Sequence, residues 1–444
     1  MATKQTVVEK FSKEQARLLF VDPLSAIARH ECGMVAIVID GVDELRTAVE
    51  SNLSLVTSVL CEIMRFLPSN VKVLIFSRPD TPIVSCIPSS IKRLDLDTKK
   101  SQQDVERLLR KELQRIAEAP NRRWQGWPSE KQLKELIVLA NGHLGWTKTA
   151  LRWIERRLEG VFADQKDTVL EEVEDLGTGD LDTLYGAILC KAFVFDEVIA
   201  VAQQVLGCLA VLEKPLSIST ISTLLALPES RVLHIFEKIS SVIVEGTDPV
   251  TLAMVPRPHK SFIDYVTERA QSPFRISVVE HHHALATACF QIMLDRNQLH
   301  FNMENWVTSY DDHGTSGIKA HVIYACSSFA HHLQGAQKTT VFYSMIDEFI
   351  KNQFLFWFEV MMTQRKTYPG PVLESLQDQV EVCLILSVDN CLTIGIMIRP
   401  HIMTLTWWIS SKTHWSLQVL QEALTLPHIS TSLHFHSQLQ SSVS

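Results

Sequence analysis

Apolar residues form two short runs in the first eighty residues, the second interrupted only by Lys72, and recur at helical spacing through most of the remaining chain. The runs Met34–Ile39 and Val71–Phe76 are rich in β-branched residues, and each is followed at once by polar residues. Such runs are typical of parallel strands buried on both faces of a sheet. A third strand is predicted around Ile91–Leu96. Because a helical pattern separates the first two runs, this part of the chain is predicted to be an α/β core.

Several segments carry apolar residues three and four positions apart, which predicts amphipathic helices. One of them has Ser129 as a plausible N-cap and ends at Asn141-Gly142, a pair typical of helix C-termini. Pro23 falls late in the first segment and is a potential break in its helix. The predicted helices cover Val7–Ala28, residues 53–67, Asp104–Ala117, residues 130–140 and His143–Leu158.

The residue pattern changes twice in the middle of the chain. The segment Val161–Asp180 is rich in acids and glycine, and its end, residues 177–180, is predicted to be a linker. A long helix is predicted to begin at Leu181, and helical patterns continue to Ile239. Two short apolar runs, 242–245 and 250–255, flank Gly246-Thr247-Asp248-Pro249 and predict a β-hairpin. Helices followed by a hairpin are typical of a winged-helix domain.

Composition narrows the class of protein. The chain has 444 residues, a net charge of -8 and 9 cysteines without CxxC pairs. These values predict roughly three domains, no nucleic-acid-binding surface, and reduced thiols in a cytoplasmic protein. The N-terminus lacks the apolar region of a signal peptide. The apolar stretch Val382–Ile409 is interrupted by charged residues and proline, so it is interpreted as buried helices rather than a membrane span.

Acidic and basic residues follow the two predicted strands. Asp40 comes directly after the first, with Asp43 and Glu44 close behind, and Arg78 follows the second. Open α/β sheets bind ligands at the carboxyl ends of their strands, so these side chains are candidates for a binding site. Two structural alternatives stay open: an ordinary acidic turn, and an ion pair between Arg78 and Asp40 or Asp43.

Five stretches, in this order, resemble the NACHT-domain signalling NTPases of fungi, which are similar to NOD-like receptors. The resemblance covers roughly residues 5–365, and each motif is weak by itself. The stretches are Val38-Ile39-Asp40-Gly41-Val42-Asp43-Glu44, Ser77-Arg78-Pro79, the Trp127-Pro128 helix with Ala140-Asn141-Gly142, Leu181-Asp182-Thr183-Leu184-Tyr185, and His259-Lys260-Ser261-Phe262-Ile263-Asp264-Tyr265.

The resemblance implies ATP or ADP and Mg²⁺ as ligands and a role for each matching residue. Asp40 would coordinate Mg²⁺, directly or through water, as the Walker B Asp does. Asp43 or Glu44 would orient the attacking water, and Arg78 would sense the γ-phosphate. His259 would contact the β-phosphate of ADP in the closed state. The alternative for His259 is a capping or core hydrogen bond ahead of the Ser261-Phe262 helix.

The sequence departs from the family in one central motif. A P-loop requires G-x-x-x-x-G-K-[ST], and no glycine precedes a lysine anywhere in these 444 residues. The loop's backbone N–H groups and its lysine hold the phosphates. Under the resemblance the P-loop lies upstream of the Walker B strand. The chain is therefore expected to be truncated before the Walker B strand and to lack the P-loop. Weak or absent nucleotide binding and an exposed flank of the sheet are expected in consequence.

The resemblance implies a partial P-loop NTPase-type parallel sheet, followed by a helical domain, a winged helix and an all-helical C-terminal region. The expected domains are a partial NACHT core (1–98), a small helical domain (99–165), a winged helix (181–272), a helical arm (275–429) and a disordered tail (430–444). Protein partners are expected, including oligomers with related NACHT proteins, but neither nucleic acid nor a membrane.

The sequence gives little support for a histidine metal site or for a hydrolase nucleophile. The groups His281-His282-His283 and His331-His332 lack the spacing of H-E-x-x-H, and there is no paired CxxC. His281 and His282 are therefore interpreted as residues that cap or flank a helix. A hydrolase elbow, G-x-S-x-G, is also missing.

Three functional hypotheses follow from these patterns. The first is a fragment of a NACHT-type receptor that acts as a protein-interaction or regulatory module, or as a decayed paralogue with no function of its own, and not as an active ATPase. The second is an ATP/ADP-dependent switch whose P-loop comes from a longer gene product or a partner chain. The third, from a different class, is a helical scaffold that retains NTPase remnants.

Overall fold

A computed structural model describes most of the chain up to residue 363. The described residues are 14, 16–30, 33–41, 60–61, 63–77, 92–94, 100–120, 122–177, 179–247, 254–301, 303 and 317–363. The chain divides into two compact units, Met1–Thr98 and Lys99–Ser444. The structure is mostly helical, with a two-stranded parallel sheet in the first unit and an antiparallel pair in the second.

The first unit contains the parallel sheet. Strand β1 (Val35–Ile39) pairs with β2 (Val71–Ile75) in register, so that Val35 lies opposite Val71 and Ile39 opposite Ile75. The predicted parallel arrangement of these two strands is thereby confirmed. Residues 60–61 and 63–66, between the strands, are helical, as the predicted helix over 53–67 requires.

Two expectations for this unit were wrong. Side chains along β1 alternate between half-buried and exposed, and Val38 is 62% exposed, so β1 is not buried on both faces. An apolar run is compatible with a strand that is buried on both faces, but other helices or strands must pack on those faces to bury them. Residues 92–94, in the predicted third strand, are not in a strand.

Pro23 does not end the N-terminal helix. Helix α1 (Asp22–His30) follows directly on a π-helical turn, Arg17–Val21, in which the Asp22 N–H donates to the Arg17 carbonyl. Proline is tolerated in the first turn of a helix, where its missing N–H is not needed. The earlier part of the predicted helix, up to residue 13, lies outside the described residues.

The second unit begins with four helices: α2 (Lys100–Ala117), α3 (Glu130–Ala140), α4 (Leu144–Arg157) and α5 (Lys166–Glu174). The first three were predicted. Helix α5 was not predicted, because acids and glycines dominate its segment, and only Val169, Leu170 and Val173 of the helix lie buried on one face. The helices share one apolar core.

Local signals at the ends of α3 are confirmed. The Ser129 hydroxyl accepts from the Gln132 N–H while the Gln132 side chain accepts from the Ser129 N–H, which is a capping box. At the other end Asn141 is left-handed with φ 45°, and Gly142 follows with φ 77°. This arrangement stops the helix where the Asn-Gly pair predicted.

Helices and an antiparallel hairpin come next. The helices are α6 (Leu181–Ala192), α7 (Asp196–Val211), α8 (Ile218–Leu224) and α9 (Glu229–Lys238). Strand β3 (Ile243–Thr247) then pairs antiparallel with β4 (Met254–Pro258), and Thr247 lies opposite Met254. The predicted pairing is confirmed, although β3 begins one residue later and β4 four residues later than expected. The short helix α10 (Lys260–Asp264) and a π-helical turn, Tyr265–Arg269, follow.

The last described part is helical and rich in aromatic contacts. It comprises α11 (Val278–Leu294), α12 (Ala320–Gly335), α13 (Thr340–Asn352) and α14 (Phe354–Thr363). Phe290 of α11 packs edge-on against Phe329 of α12 and Phe349 of α13, with ring centroids 5.4 and 6.2 Å apart. The stretch Val382–Ile409 and the tail 430–444 lie outside the described residues. Where the structure describes helices, none combines the length and the apolar character that crossing a bilayer requires.

Asp180 caps α6, and we expect Asp180→Ala to lower the free energy of unfolding by about 0.5–2 kcal/mol. Its carboxylate accepts from the N–H groups of Asp182 and Thr183 and from the Thr183 hydroxyl, which lowers the pKa of Asp180. Urea denaturation at neutral pH measures the effect. Asp180→Asn is the control, because it keeps the capping oxygen and is expected to retain most of the stability.

The pH dependence of this effect has a definite sign. Because the folded pKa of Asp180 lies below its usual value, the carboxylate contributes stability at neutral pH and loses it as the pH falls through that lowered pKa. The difference between wild type and Asp180→Ala should therefore shrink on acidification. An unchanged difference in strong acid would contradict a charged cap.

Candidate functional site

The carboxyl ends of β1 and β2 lie side by side at one edge of the parallel sheet. The Ile39 carbonyl accepts from the Phe76 N–H at 2.8 Å, and the Gly41 N–H donates to the Phe76 carbonyl at 3.1 Å. These two hydrogen bonds extend the pairing by one residue beyond each strand. Asp40 and Ser77, which belong to the two motifs, therefore leave the sheet at the same edge.

The chain turns immediately after Asp40. Gly41 has a φ of 69°, a left-handed conformation that residues with a Cβ adopt only with strain. The Asp40 side chain is exposed. An exposed carboxylate at a strand end suits a hard cation such as Mg²⁺, which is usually held by one or two carboxylates, phosphates and water.

Three of the predicted site residues cannot be placed. Asp43, Glu44 and Arg78 lie outside the described residues, so their assigned roles stay predictions. The same holds for the alternative ion pair between Arg78 and an acid. Asp40 belongs to the first unit and His259 to the second, and each is described within its own unit.

His259 caps a helix. Its Nδ1 accepts from the Ser261 N–H at 3.2 Å and lies 2.7 Å from the Ser261 hydroxyl, at the start of α10. The capping alternative is therefore what the structure shows for this residue. A contact with a β-phosphate is compatible with the cap, because the imidazole has a second nitrogen, and it stays a prediction.

Two of the predicted motifs pack directly against each other. The Tyr185 hydroxyl lies 2.8 Å from the Ser261 hydroxyl, and the Tyr185 ring meets Phe262 edge-on with centroids 5.2 Å apart. Arg269, seven residues after Phe262, forms an ion pair with Asp182 at 2.6 Å. Motifs 76 residues apart in sequence thus share one interface between α6 and α10.

A third motif contacts the segment that leads into this interface. A Cβ built on Gly179 would lie 2.7 Å from the Cβ of Asn141, and Gly179 has a φ of 58°. The turn after α3 therefore packs closely on the segment that precedes Asp180 and α6. The sequence predicted these motifs separately, and the structure joins them in a continuous set of contacts within the second unit.

A cluster that the sequence analysis did not predict lies between α11 and α12. The rings of His282, His331 and His332 form a triangle in which each pair of ring centroids is 5.3 Å apart. One nitrogen from each ring lies within 4.8 Å of the other two. We call these three residues the histidine triangle. His282 and His332 are buried and His331 is half-buried.

Tyr324 orients one ring of the histidine triangle. Its hydroxyl lies 2.7 Å from Nε2 of His332, and Nδ1 of His332 lies 3.1 Å from Nδ1 of His282. Burial and the neighbouring imidazoles lower the pKa of His282 to about 4 and that of His332 to about 3. Both rings are therefore neutral at pH 7.

Glycines on the facing helices make room for the imidazoles of α11. A Cβ on Gly335 would lie 2.4 Å from the His282 ring, and a Cβ on Gly207 would lie 2.2 Å from the His281 ring. His282 is thus an inward-facing residue of α11, whose N-cap is Ser277. The interpretation that His281 and His282 cap or flank a helix was wrong.

The triangle carried only a weak signal in the sequence. His282 and His332 are 50 residues apart, so no local metal-binding spacing joins them. Both occur among apolar residues at positions that face inward in their helices. Helical phase could have placed each imidazole on an apolar face, but not beside the other.

Comparison with known proteins adds no assignment, since no family model matches the sequence and no curated protein matches it significantly.

Proposed function

We propose that this chain is part of a NACHT-type signalling NTPase similar to NOD-like receptors, and that it acts as a protein-interaction or regulatory module with impaired nucleotide binding. The observation that carries the proposal is the shared edge at which β1 and β2 end. A Walker B-like strand and a sensor 1-like strand that belong to one nucleotide site must be parallel, with their ends at the same edge. Asp40 and Ser77 meet that requirement.

The second unit supports the proposal through its own contacts. The order of helices followed by an antiparallel hairpin is what a winged-helix domain requires. The contacts of Tyr185 and Asp182 with the segment that follows the hairpin explain why two of the family-like motifs occur together. In this proposal α2–α5 are the small helical domain and α11–α14 belong to the helical arm.

The predicted impairment of nucleotide binding follows from missing contacts to the phosphates. Asp40 supplies one carboxylate for Mg²⁺, but these 444 residues contain no G-x-x-x-x-G-K-[ST]. Without the N–H groups and lysine of that loop, the chain by itself lacks the main anchor for the β- and γ-phosphates. Asp43, Glu44, Arg78 and His259 keep their proposed roles only where a partner or a longer gene product supplies that anchor.

Two alternatives are favoured by specific observations. The exposed Asp40 carboxylate at the strand edge favours an ATP/ADP-dependent switch completed by a P-loop from elsewhere. The capping hydrogen bond of His259 favours a helical scaffold with NTPase remnants, since it gives the histidine a structural task that needs no nucleotide.

The proposed partners are proteins, in particular related NACHT proteins that bring a complete nucleotide site. We place the protein in the cytoplasm. The cysteines of the described residues whose state is known, at positions 61, 190, 208, 289 and 326, are free, which suits a reducing compartment.

Nucleotide binding tests the proposal. We expect calorimetry of the purified chain with ATP or ADP and Mg²⁺ to show no saturable binding at millimolar nucleotide, because the phosphate anchor is missing. Asp22→Ala, which removes another exposed acid of the first unit, is the matched control for Asp40→Ala.

The alternatives give different results. Micromolar binding that disappears in Asp40→Ala but persists in Asp22→Ala would overturn the proposed impairment and favour the switch. The scaffold alternative requires Asp40→Ala to change nothing but stability, even when a NACHT protein with an intact P-loop is added. A nucleotide-dependent complex with such a protein, lost in Asp40→Ala, would instead support the interaction module.

A further inference from the structure

Three imidazole rings bring their nitrogens close together between α11 and α12. Nδ1 of His282 and Nδ1 of His332 are 3.1 Å apart. One nitrogen from each of the three rings, His331 included, lies within 4.8 Å of a nitrogen of the other two. Nitrogens that share a tetrahedral Zn²⁺ at about 2.0–2.1 Å lie roughly 3.3–3.4 Å from each other. The His282–His332 pair is already close to that separation, and rotation of the half-buried His331 ring brings in the third donor.

A hydrogen bond between the two Nδ1 atoms accounts for only part of this arrangement. It explains the 3.1 Å distance, but it involves two of the three rings and gives no reason for the equal 5.3 Å centroid separations. Burying several imidazoles between apolar helices also carries a desolvation penalty that an apolar core would avoid. A shared ion makes use of all three rings.

The contact with Tyr324 provides the support that metal-binding histidines usually have. A histidine ligand commonly donates its other N–H to an oxygen, which sets the tautomer and the ring orientation. The Tyr324 hydroxyl, 2.7 Å from Nε2 of His332, is placed to accept that hydrogen bond. His332 then presents the lone pair of Nδ1 to the centre of the triangle.

We infer that His282, His331 and His332 form a binding site for one divalent transition-metal ion, with Zn²⁺ as the reference ion. Imidazole suits Zn²⁺, Cu²⁺ and Ni²⁺ and has little affinity for Mg²⁺ or Ca²⁺. Three protein ligands leave a fourth position for water or an external ligand, on the half-buried side of His331. The ion joins α11 to α12, and this site is independent of the nucleotide site at the sheet edge.

The test uses the full chain without an affinity tag, after treatment with a chelator. Calorimetry with ZnCl₂ is expected to show one site of micromolar or tighter affinity, and CoCl₂ is expected to give the visible absorption of tetrahedral Co²⁺. Zn²⁺ is also expected to raise Tm, because an ion that binds only the folded state stabilises it. Mg²⁺ is expected to do neither.

Variants identify the ligands. Tyr324→Phe keeps all three imidazoles and is expected to weaken Zn²⁺ binding about 10–100-fold. His331→Ala removes a ligand, so its loss of affinity should be larger and its Tm should no longer respond to Zn²⁺. The matched control is His283→Ala, since His283 is a half-buried histidine of α11 that packs against Phe342 at 4.6 Å.

Each outcome of these experiments either supports or overturns the proposed metal site. Weakened binding in Tyr324→Phe and His331→Ala with unchanged binding in His283→Ala supports the site. Equal affinity in all variants would place the ion at other histidines and overturn the proposal, as would the absence of one-to-one binding in the wild type. Far-UV circular dichroism verifies folding, and if His331→Ala is unfolded, Tyr324→Phe decides the outcome.

Discussion

Trp357→Ala is expected to lower the free energy of unfolding of the second unit by about 3–5 kcal/mol, the range typical of a buried tryptophan. Trp357 is 0% exposed, and its indole N–H donates to the Cys326 carbonyl at 2.8 Å. Its ring packs against Phe329, Phe349 and Phe354, with centroids 6.3, 6.1 and 5.4 Å away. The truncation removes both the aromatic packing and the hydrogen bond.

Urea denaturation followed by far-UV circular dichroism measures this loss, because most of the described helices belong to the second unit. Trp357→Phe keeps an aromatic ring but loses the N–H donor, so it should be less damaging. Phe162→Ala is the surface control, since Phe162 is 74% exposed and its truncation should change stability by about 0.5 kcal/mol or less. A loss below about 1 kcal/mol for Trp357→Ala would contradict the packing of α14 on α12.

Gly335→Ala is expected to lower the free energy of unfolding by about 1–3 kcal/mol, as overpacking of a filled core does. The new Cβ would lie 2.4 Å from Cδ2 and 2.6 Å from Cγ of His282. Since Cγ is the root of the imidazole ring, a rotation of the ring cannot relieve the clash. The sign is informative because Gly→Ala at a position without a positive φ otherwise stabilises by about 0.4–1 kcal/mol, since it reduces the conformational freedom of the unfolded chain.

The cause of this loss can be isolated with a second substitution. In a His282→Ala background the obstructing ring is gone, so Gly335→Ala should become neutral or stabilising, and the double-mutant cycle should show a clear coupling energy. Gly317→Ala is the control, because among the described residues no atom lies within 4 Å of a Cβ built there. A neutral or stabilising Gly335→Ala in the wild-type background would show that His282 does not pack against Gly335.

Features decided by neighbouring residues were predictable from the sequence. The ends of α3 depend on Ser129, Gln132 and the Asn141-Gly142 pair, and the start of α6 depends on Asp180. In each case the donors and acceptors lie within about four residues of one another, so the sequence itself contains both partners. The parallel pairing of β1 with β2 was also predictable, because an apolar run on each side of a helix indicates it.

Features that depend on contacts between distant residues were not predictable from the sequence. Helix α5 has only three buried apolar residues in an acidic segment. The residues that hold it in the core come from α3 and α4. From α3, for example, the Gln132 side chain donates a hydrogen bond to Asp167 at 3.0 Å. The exposure of β1 depends on what covers each face of the sheet. His259 had two interpretations in the sequence, and the cap became visible only with the backbone geometry of α10.

The candidate sites divide in the same way. The sequence by itself determined which strands end in acids, which helices have caps and which residues follow each strand, since these are matters of order and local hydrogen bonding. Only the tertiary structure decided that Tyr185 meets Ser261 and that His282 meets His332. Those two contacts join residues 76 and 50 positions apart. Their formation depends on how whole helices and strands pack, which no local pattern specifies.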